Sequence, residues 1–468
     1  MASYAAIDLG ATSGRIAVGT ITDGAISVDI IHRFTNDPIE DAEDGLLWDW
    51  VKVKKEILFG LNVATLKYAI TSIAVDSWGV DYQLINDDHL LNPKVYSYRN
   101  LRTEGVMESV VKEVGKESMY RRTGIQFLPF NTVYQFTAGS AIGEFDSTDK
   151  FLMLPDALNY FLCGSISQEI TNASTTQLLD PLKRDWHWGL IAELGLPERI
   201  FPPLHEPGVT LGKIRGHGRL DGIPVVAVGS HDTASAVAAV PMSNPDRSIY
   251  ISSGTWSLVG YEKNTVNTSR KYFDINLTNE LGVQGTVCLL RNVAGMWLLS
   301  ECQRDWLSQG IYTNVEELIS AAQEIPMDTF LIDPNDSVFL PAGNMVSRIA
   351  NYCTINNLPS PTTPAEYARC IFDSLAHTYH EVISEYEEVE GHPFEVIYMV
   401  GGGSANNFLN QLTADVTGKK VIAGATEATL LGNIGMQAIA NKEISSLSDL
   451  RKIISHSITQ KIFLPSQR

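Results

Sequence analysis

The sequence is poor in cysteine, in basic residues and in long hydrophobic runs. Its 468 residues include only five cysteines, and no two have the C-x-x-C spacing of zinc or thioredoxin-type sites. Lysine and arginine number 35 against 54 aspartates and glutamates, which gives a formal net charge of −19. We therefore expect no nucleic-acid or anionic-membrane partner, because both require a basic surface. No run approaches the roughly 18 apolar residues of a membrane span.

The N-terminal stretch does not resemble a secretory signal, because residues 1–8 contain neither its basic segment nor its apolar core. We expect a cytosolic protein with buried free thiols. Whether Cys353 and Cys370 meet depends on helix packing that the sequence does not fix. The apolar content of 44% is that of a globular protein, and the length predicts two or three domains.

A stretch at the middle of the chain carries the first candidate functional residue. The apolar residues 225–228 predict a short buried strand that Gly229 ends. Ser230 is the predicted N-cap of a helix over residues 233–240. Asp232 then lies where a strand passes into a helix, which is where ligands bind in open α/β sheets. On this stretch alone, Asp232 is either a helix cap or a functional carboxylate.

Two stretches predict hairpins with small polar tips. Residues 4–20 predict strand, turn and strand, with Asp8 before the turn and Arg15 after it. Exposed backbone N–H groups in such a turn suit phosphate oxygens, Asp8 can hold hydrated Mg²⁺ and Arg15 can contact a transferred phosphate. Residues 247–260 repeat the pattern, which predicts a duplicated α/β unit. A plain hairpin with a polar tip is the alternative for each stretch.

Residues 394–410 predict a buried strand, a turn of three glycines at 401–403 and a helix. Glycines let a ligand approach the backbone, and a helix N-terminus attracts negative charge. The spacing is not that of a dinucleotide fingerprint. We expect a nucleotide base or ribose to lie over these glycines.

Other stretches support weaker expectations. Residues 46–64 predict a helix that begins at Leu46, and Arg291 opens a predicted helix that continues through Leu299. Residues 171–177 are polar without periodicity and predict a loop. Asp76 and Trp78 crowd the end of a predicted strand, which is typical either of a sugar site, with the indole as a flat face, or of a turn with a core tryptophan.

Four of these stretches together resemble the FGGY family of carbohydrate kinases, in the actin/hexokinase-like superfamily. They are residues 8–15, 230–236, 252–256 and 400–406. The sugar-side stretches resemble the branch of that family that acts on L-rhamnulose; they are residues 76–82, 124–135, 171–177 and 370–376. The resemblance covers nearly the whole chain.

The resemblance implies an α/β fold of two ribonuclease-H-like lobes with a ligand cleft between them. Residues 1–243 would form the sugar-binding lobe and residues 244–468 the nucleotide-binding lobe. The implied reaction is ATP-dependent phosphorylation of L-rhamnulose at its 1-hydroxyl, in L-rhamnose degradation, by a monomer or weak homo-oligomer. The alternatives are a kinase for L-fuculose or a pentulose and a non-catalytic sugar sensor.

The resemblance also assigns roles to residues. Asp232 would be the catalytic base, and Asp8 would hold Mg²⁺, either directly or by way of a water molecule. The implied ATP contacts are Ala11, Thr12, Ser13, Gly14, Arg15, Thr255, Ser300 and Gly402. The implied sugar contacts are Gly79, His231, Asp232, Thr233 and Asn292. Ser300 departs from the branch, which often has glutamine there, so we expect a shorter or water-bridged contact with nucleotide, or none.

Overall fold

A computed structural model describes residues 2–87 and 89–466. The chain divides into two compact units. The first contains the chain up to Pro241 together with Glu262–Leu289 and Ala428–Ile458. The second contains Met242–Tyr261, Leu290–Glu427 and the chain from Thr459 onward. The lobe boundary between residues 243 and 244 stays a prediction.

Within the described residues, the strands are β1 Ser3–Leu9, β2 Ser13–Thr22, β3 Ala25–Thr35, β4 Pro38–Asp41, β5 Gly45–Trp48, β6 Ile70–Ser77, β7 Tyr82–Asn86, β8 Thr148–Met153, β9 Gln168–Glu169, β10 Leu179–Asp180, β11 Asp185–Trp186, β12 Leu204–His205, β13 Thr210–Lys213, β14 Pro224–Val226, β15 Ser248–Ser253, β16 Trp256–Lys263, β17 Thr278–Leu281, β18 Val287–Ala294, β19 Val396–Val400, β20 Lys420–Ala423 and β21 Lys461–Phe463. The α-helices are α1 Trp50–Lys67, α2 Val106–Val114, α3 Lys116–Thr123, α4 Thr132–Ala141, α5 Leu154–Cys163, α6 Ile170–Ser174, α7 Trp188–Glu193, α8 Asp232–Ala238, α9 Arg270–Asp274, α10 Trp297–Ser308, α11 Val315–Gln323, α12 Met345–Ile355, α13 Pro364–Glu390, α14 Asn407–Thr417, α15 Ala428–Ala440 and α16 Leu447–Ser457.

The first unit is built on a mixed sheet in the order β13-β14-β6-β1-β2-β3. The strands β1, β2 and β3 are antiparallel neighbours, whereas β6 pairs parallel with β1 and β14 pairs parallel with β6. Its core includes Ile7 and Val75 from the sheet and Val53 and Ile57 from α1. The parallel strands end at a common edge, where ligand sites form in such sheets.

The second unit contains the strand order β18-β16-β15-β19-β20-β21. As in the first unit, an antiparallel hairpin (β15 with β16) is followed by a parallel partner, β19, so the predicted repeat is present in the topology. The long helix α13 packs in this unit through tyrosines. The Tyr386 hydroxyl donates to the Val259 carbonyl at 3.0 Å, and the Tyr379 and Ser257 hydroxyls lie 2.7 Å apart.

All five cysteines are free thiols, as expected. Four are buried, and Cys163 is half-buried. Cys353 and Cys370 therefore form no disulfide. Burial raises the pKa of the Cys370 thiol to about 12, so this group is inert near neutral pH.

Two helix starts expected from the sequence are wrong. Residues 46–48 form strand β5, which pairs with β4, and the helix begins at Trp50 because the Asp49 carboxylate accepts the Lys52 N–H at 3.0 Å. Residues 291–294 continue strand β18, and the following helix begins at Trp297. In both places a sheet partner provides hydrogen bonds that the helical spacing of apolar residues does not reveal.

Two further expectations are wrong near Asp232. Ser230 is not the N-cap of α8, because the helix begins at Asp232 with His231 in that position. Residues 171–177 are not a loop throughout, because residues 171–174 belong to the buried helix α6. The Glu169 carboxylate caps α6 by accepting the Thr171 and Asn172 N–H groups. Capping and burial thus override the polar composition of this stretch.

The helix that carries Asp232 packs closely on α15 within the first unit. A Cβ built on Gly432 of α15 would lie 1.8 Å from the Ser235 carbonyl oxygen of α8. Because that neighbour is backbone, one helix would have to move. Gly432 is thus required for the position of α8.

We expect Gly432→Ala to lower the free energy of unfolding by about 1–3 kcal/mol, because the methyl group overpacks the α8–α15 contact. Urea titration monitored by circular dichroism measures this. The matched control is Gly189→Ala in α7, where the nearest atom to the new Cβ is 3.6 Å away. That variant should be neutral or more stable, and equal losses in both variants would contradict the packing argument.

Candidate active site

Three aspartates meet at one edge of the first unit's sheet. Asp8 and Asp76 are register partners on the parallel strands β1 and β6. Directly after Asp76, the Ser77 N–H donates to the Ser230 carbonyl at 2.9 Å, and α8 begins two residues later at Asp232. The parallel sheet therefore brings together residues that are far apart in the sequence.

Asp232 is the most accessible carboxylate of the three. Its side chain is 32% exposed, while Asp8 and Asp76 are buried. Asp232 Oδ1 accepts the Thr233 hydroxyl at 3.2 Å and lies 3.6 Å from His231 Nε2. A carboxylate in this position can accept a proton from a ligand that approaches the edge.

His231 lies between two carboxylates. Its Nδ1 is 3.3 Å from Glu280 Oε2, and its side chain is only 9% exposed. Burial by itself lowers the pKa of the imidazole, but the charges of Glu280 and Asp232 overcome this and raise it. Sequence reasoning missed Glu280, which lies in strand β17 and has no local motif around it.

Asp76 is fully buried and accepts the Asn433 amide of α15 at 2.5 Å. Burial, followed by the nearby charge of Asp8, raises its pKa well above the usual range. Its Oδ1 has no hydrogen-bond partner among the described residues. The side chain thus faces inward, toward α15, and the predicted contact of Asp76 with sugar hydroxyls gains no support.

The predicted magnesium residue, Asp8, forms an ion pair with Arg15. Among residues 2–87 and 89–466, no group of three or more His, Cys, Asp or Glu side chains is arranged to hold a metal ion. A single carboxylate fits Mg²⁺ that takes most of its ligands from phosphates and water. The Asp8 site is therefore compatible with a nucleotide-bound magnesium ion.

The tip of the first hairpin is exposed, and contacts with Phe34 and Asn36 hold its backbone in place. Thr12 and Ser13 are exposed, whereas Gly14 packs against Phe34, whose ring would lie 2.1 Å from an added Cβ. Asn36, which sequence reasoning missed, donates its side-chain amide to the Gly10 carbonyl at 2.9 Å and its N–H to the Thr12 carbonyl at 3.0 Å. The tip N–H and hydroxyl groups of this well-anchored turn are suited to an anion.

The loop around Gly79 is tightly constrained. A Cβ on Gly79 would lie 2.8 Å from Thr175 Oγ1, so this position accepts only glycine without movement. The next residue, Val80, has φ +68°, an uncommon conformation for a β-branched residue. Its N–H donates to Thr175 Oγ1 at 3.1 Å and its carbonyl accepts the Thr132 hydroxyl at 2.7 Å. Surrounding hydrogen bonds thus hold a strained backbone at the predicted sugar side.

Trp78 belongs to the core rather than to an open sugar face. It is 8% exposed, and its ring lies 4.6 Å from that of Trp48. Both indole N–H groups donate to Asp81, at 2.9 and 2.7 Å. Burial raises the pKa of Asp81 to about 6, and these donors oppose the rise.

In the second unit, the tip of the β15–β16 hairpin lies against the start of α10. The Met296 N–H donates to the Gly254 carbonyl at 3.0 Å, and the Trp297 N–H donates to the Thr255 carbonyl at 3.2 Å. A Cβ on Gly295 would lie 2.6 Å from the Trp256 backbone, so only glycine allows this approach. This contact brings Thr255 and the first turn of α10, with the exposed Ser300, into one region.

Asn292, the remaining predicted sugar contact, is a half-buried residue of strand β18 in the same unit. Gly79, His231, Asp232 and Thr233 all belong to the first unit.

The three glycines after β19 have different roles. A Cβ on Gly401 would lie 2.9 Å from the Ser253 carbonyl, and one on Gly403 would lie 2.0 Å from the Ser253 hydroxyl. Gly401 also has φ +77°. An added Cβ on the exposed Gly402 would have no atom within 4 Å. Gly401 and Gly403 therefore allow close packing against Ser253, whereas Gly402 leaves space for a ligand.

Two domain families match almost the full length of the chain. Residues 3–239 match the N-terminal domain of the FGGY family of carbohydrate kinases, and residues 249–441 match its C-terminal domain. The chain belongs to the FGGY family of carbohydrate kinases. The expected family is confirmed, and ATP is the co-substrate that membership of this kinase family implies.

Two curated relatives of this FGGY kinase carry the name rhamnulokinase. The protein of Pectobacterium carotovorum subsp. carotovorum is 42% identical over 468 residues, covering 98% of this chain and 92% of the relative. The protein of Bacillus subtilis is 40% identical over 468 residues, covering 99% and 95%.

Solved structures of other kinases share the fold of this FGGY kinase. A ligand-bound xylulose kinase from Lactobacillus acidophilus has a TM-score of 0.81 at 14% identity, covering 100% of this chain and 94% of its own. A Plasmodium falciparum glycerol kinase with ADP has a TM-score of 0.77 at 14% identity, covering 100% and 95%. The expected α/β fold with two ribonuclease-H-like lobes is confirmed. No helix in the described part of the chain is long and apolar enough to cross a membrane.

Proposed function

We propose that this FGGY kinase transfers the γ-phosphoryl group of ATP to the 1-hydroxyl of L-rhamnulose, with Asp232 as the catalytic base. The choice of L-rhamnulose as the substrate is supported by the identity of 40–42%, along nearly the entire chain, to proteins named rhamnulokinase. The partial exposure of Asp232 at the start of α8 supports its role.

The proposed reaction is an in-line displacement at phosphorus. The O–H bond of the substrate's primary alcohol breaks as its oxygen bonds to Pγ, and the proton passes to the Asp232 carboxylate. The bond between Pγ and the β–γ bridging oxygen breaks, and ADP leaves with that electron pair. The neighbouring imidazole of His231, with Thr233 and Gly79, would contact the sugar.

The phosphates would contact the first hairpin tip, from Ala11 to Arg15, where N–H groups, hydroxyls and a guanidinium are available. Asp8 would hold, directly or through water, the Mg²⁺ bound with ATP, which would neutralise charge on the phosphate oxygens. For the second unit we propose that Thr255 contacts phosphate and that Gly402 contacts adenosine. Ser300 would contact the nucleotide, and Asn292 would contact the sugar. Cytosolic location, the monomer or weak homo-oligomer and the absence of a nucleic-acid partner stay predictions.

ADP release by the purified protein with Mg-ATP tests the substrate. We expect strong turnover on L-rhamnulose and little on L-fuculose, L-ribulose, D-xylulose or glycerol. Preference for another sugar would overturn the substrate and leave the kinase assignment standing. ATP binding without ADP release on any sugar would contradict catalysis and favour a sensor.

Asp232→Asn should lower kcat by about 10²–10⁴-fold, because the amide cannot accept the alcohol proton. The change is nearly isosteric, and the amide oxygen can still accept the Thr233 hydroxyl, so the melting temperature should stay close to that of the wild type. Asp23→Asn makes the same chemical change in an exposed turn and should retain full activity. Turnover retained by Asp232→Asn would remove this residue from the role of base.

Gly402→Val should raise the apparent KM for ATP by about tenfold or more, because its side chain would occupy the open face over which adenosine is proposed to lie. Gly402→Ala should have an intermediate effect, since the obstruction scales with side-chain size. The KM for the ketose should change little in either variant. Initial rates over an ATP series provide the values, and an unchanged KM for ATP in both variants would refute the adenosine assignment.

A further inference from the structure

Glu169 is a fully buried carboxylate that is not among the residues predicted to bind ATP or sugar. It ends strand β9 and has 0% exposure. Its Oε1 accepts the Thr171 N–H at 2.9 Å, and its Oε2 lies 3.3 Å from the Asn172 N–H. These contacts make Glu169 the cap of α6.

The same carboxylate also holds the chain that leads into Asp232. Glu169 Oε2 accepts the Ser230 N–H at 3.0 Å and the Ser230 hydroxyl at 2.7 Å. A second link passes through Thr171, whose hydroxyl donates to Glu169 Oε2 at 2.5 Å and accepts the His231 N–H at 3.2 Å. Ser230 and His231, the two residues before Asp232, are therefore fixed by a single buried side chain, Ser230 directly and His231 through Thr171.

The Asp232 side chain has little to fix it by itself. It is partly exposed, and among the described residues its hydrogen bond and its ion pair are with its neighbours Thr233 and His231. Its position must come from the backbone of residues 230–232. That backbone is held on one side by the Ser77 N–H to the Ser230 carbonyl and on the other by Glu169.

The surroundings of Glu169 keep it in place. Its own N–H donates to Asp156 Oδ2 at 3.0 Å, and Asp156 lies 4.0 Å from His205 Nε2. Burial raises the pKa of Asp156 to about 7, so this carboxyl is partly protonated near neutral pH and repels the Glu169 carboxylate less than a fully ionised aspartate would. Thr171 and Ser230 then have Glu169 as their shared acceptor.

We propose that Glu169 is a positioning residue for phosphoryl transfer, which holds Ser230 and Thr171 so that the Asp232 carboxylate is aligned with the substrate hydroxyl. The inference rests on the proposed role of Asp232 as base. It assigns Glu169 no contact with substrate. A displacement of a reacting group by about 1 Å can cost about 10²-fold in rate. Loss of the Glu169 carboxylate should therefore act on kcat rather than on nucleotide binding.

The first test compares Glu169→Gln with Glu262→Gln. The glutamine side chain has the same shape as glutamate. Its amide NH₂ group cannot accept the hydrogen bonds that Ser230 or Thr171 donate to the carboxylate, so donor would face donor there. Glu262 is also a buried carboxylate of the first unit, and it pairs with Arg451 at 2.8 Å. Arg451 also donates to the Val237 carbonyl at 3.1 Å, at the end of α8 opposite Asp232, so Glu262→Gln perturbs the far end of the same helix and leaves the residues before Asp232 in place. We expect both variants to lose stability. Only Glu169→Gln should lose about 100-fold in kcat, with the KM for ATP unchanged.

A double-mutant cycle that combines Glu169→Gln with Ser230→Ala tests whether Glu169 acts through Ser230. The single Ser230→Ala variant removes one hydrogen bond and should lower kcat by about tenfold. The double variant should be no slower than Glu169→Gln alone, because the link is already broken. Should Glu169→Gln fail to fold, Ser230→Ala alone keeps the proposal testable, and an unchanged kcat in that variant would overturn it.

A readout without turnover separates this proposal from the proposed reaction. The ring proton signals of His231, assigned by their loss in His231→Gln, should shift in Glu169→Gln and also in Ser230→Ala, and should stay in place in Glu262→Gln. The Ser230→Ala shift is the informative one, because the Glu169 charge also acts on the imidazole and Ser230→Ala changes no charge. If the wild type phosphorylates no sugar, the proposed function fails and the His231 signals still report on positioning. Unmoved His231 signals, or kcat losses that follow stability equally in both variants, would refute the role of Glu169.

Discussion

The parallel pairing of β1 with β6, extended by the hydrogen bond from Ser77 to Ser230, is the constraint on which the candidate site depends. It makes Asp8 and Asp76 register partners and sets the start of α8 beside them. The side-chain period of a strand is two residues, so a slip of one residue would turn Asp8 to the opposite face. Register within this sheet therefore determines which carboxylates can act together.

Burying carboxyl groups at this edge has a free-energy cost that the structure offsets with neutral donors. Asp76 receives the Asn433 amide, and Asp81 receives the two indoles of Trp48 and Trp78. Neutral donors satisfy oxygens without adding buried positive charge, and the pKa values of both aspartates stay raised. Asp232 differs because water reaches it, which suits a group that must exchange a proton.

The second unit uses the same hairpin and parallel strand with different side chains. Its tip, residues 252–257, has hydroxyls and a glycine but no charged residue, whereas the first hairpin carries Asp8 and Arg15. Packing also differs, since Gly295, Gly401 and Gly403 allow backbone to approach the second hairpin closely. A repeated framework thus supports one charged and one neutral tip.

The sequence by itself determined the features that local patterns encode: two hairpins with small tips, a glycine turn after a strand and Asp232 at a strand-to-helix junction. It misplaced α6 and overlooked Glu169 and Glu280, because local composition does not reveal a cap that also contacts a loop 61 residues away. The sequence around Trp78 fits either a sugar face or a core tryptophan, and the packing of its ring against Trp48 decides for the core. Only the tertiary structure decided which polar residues are buried against one another, since burial and long-range hydrogen bonds depend on the whole fold rather than on neighbours in the chain.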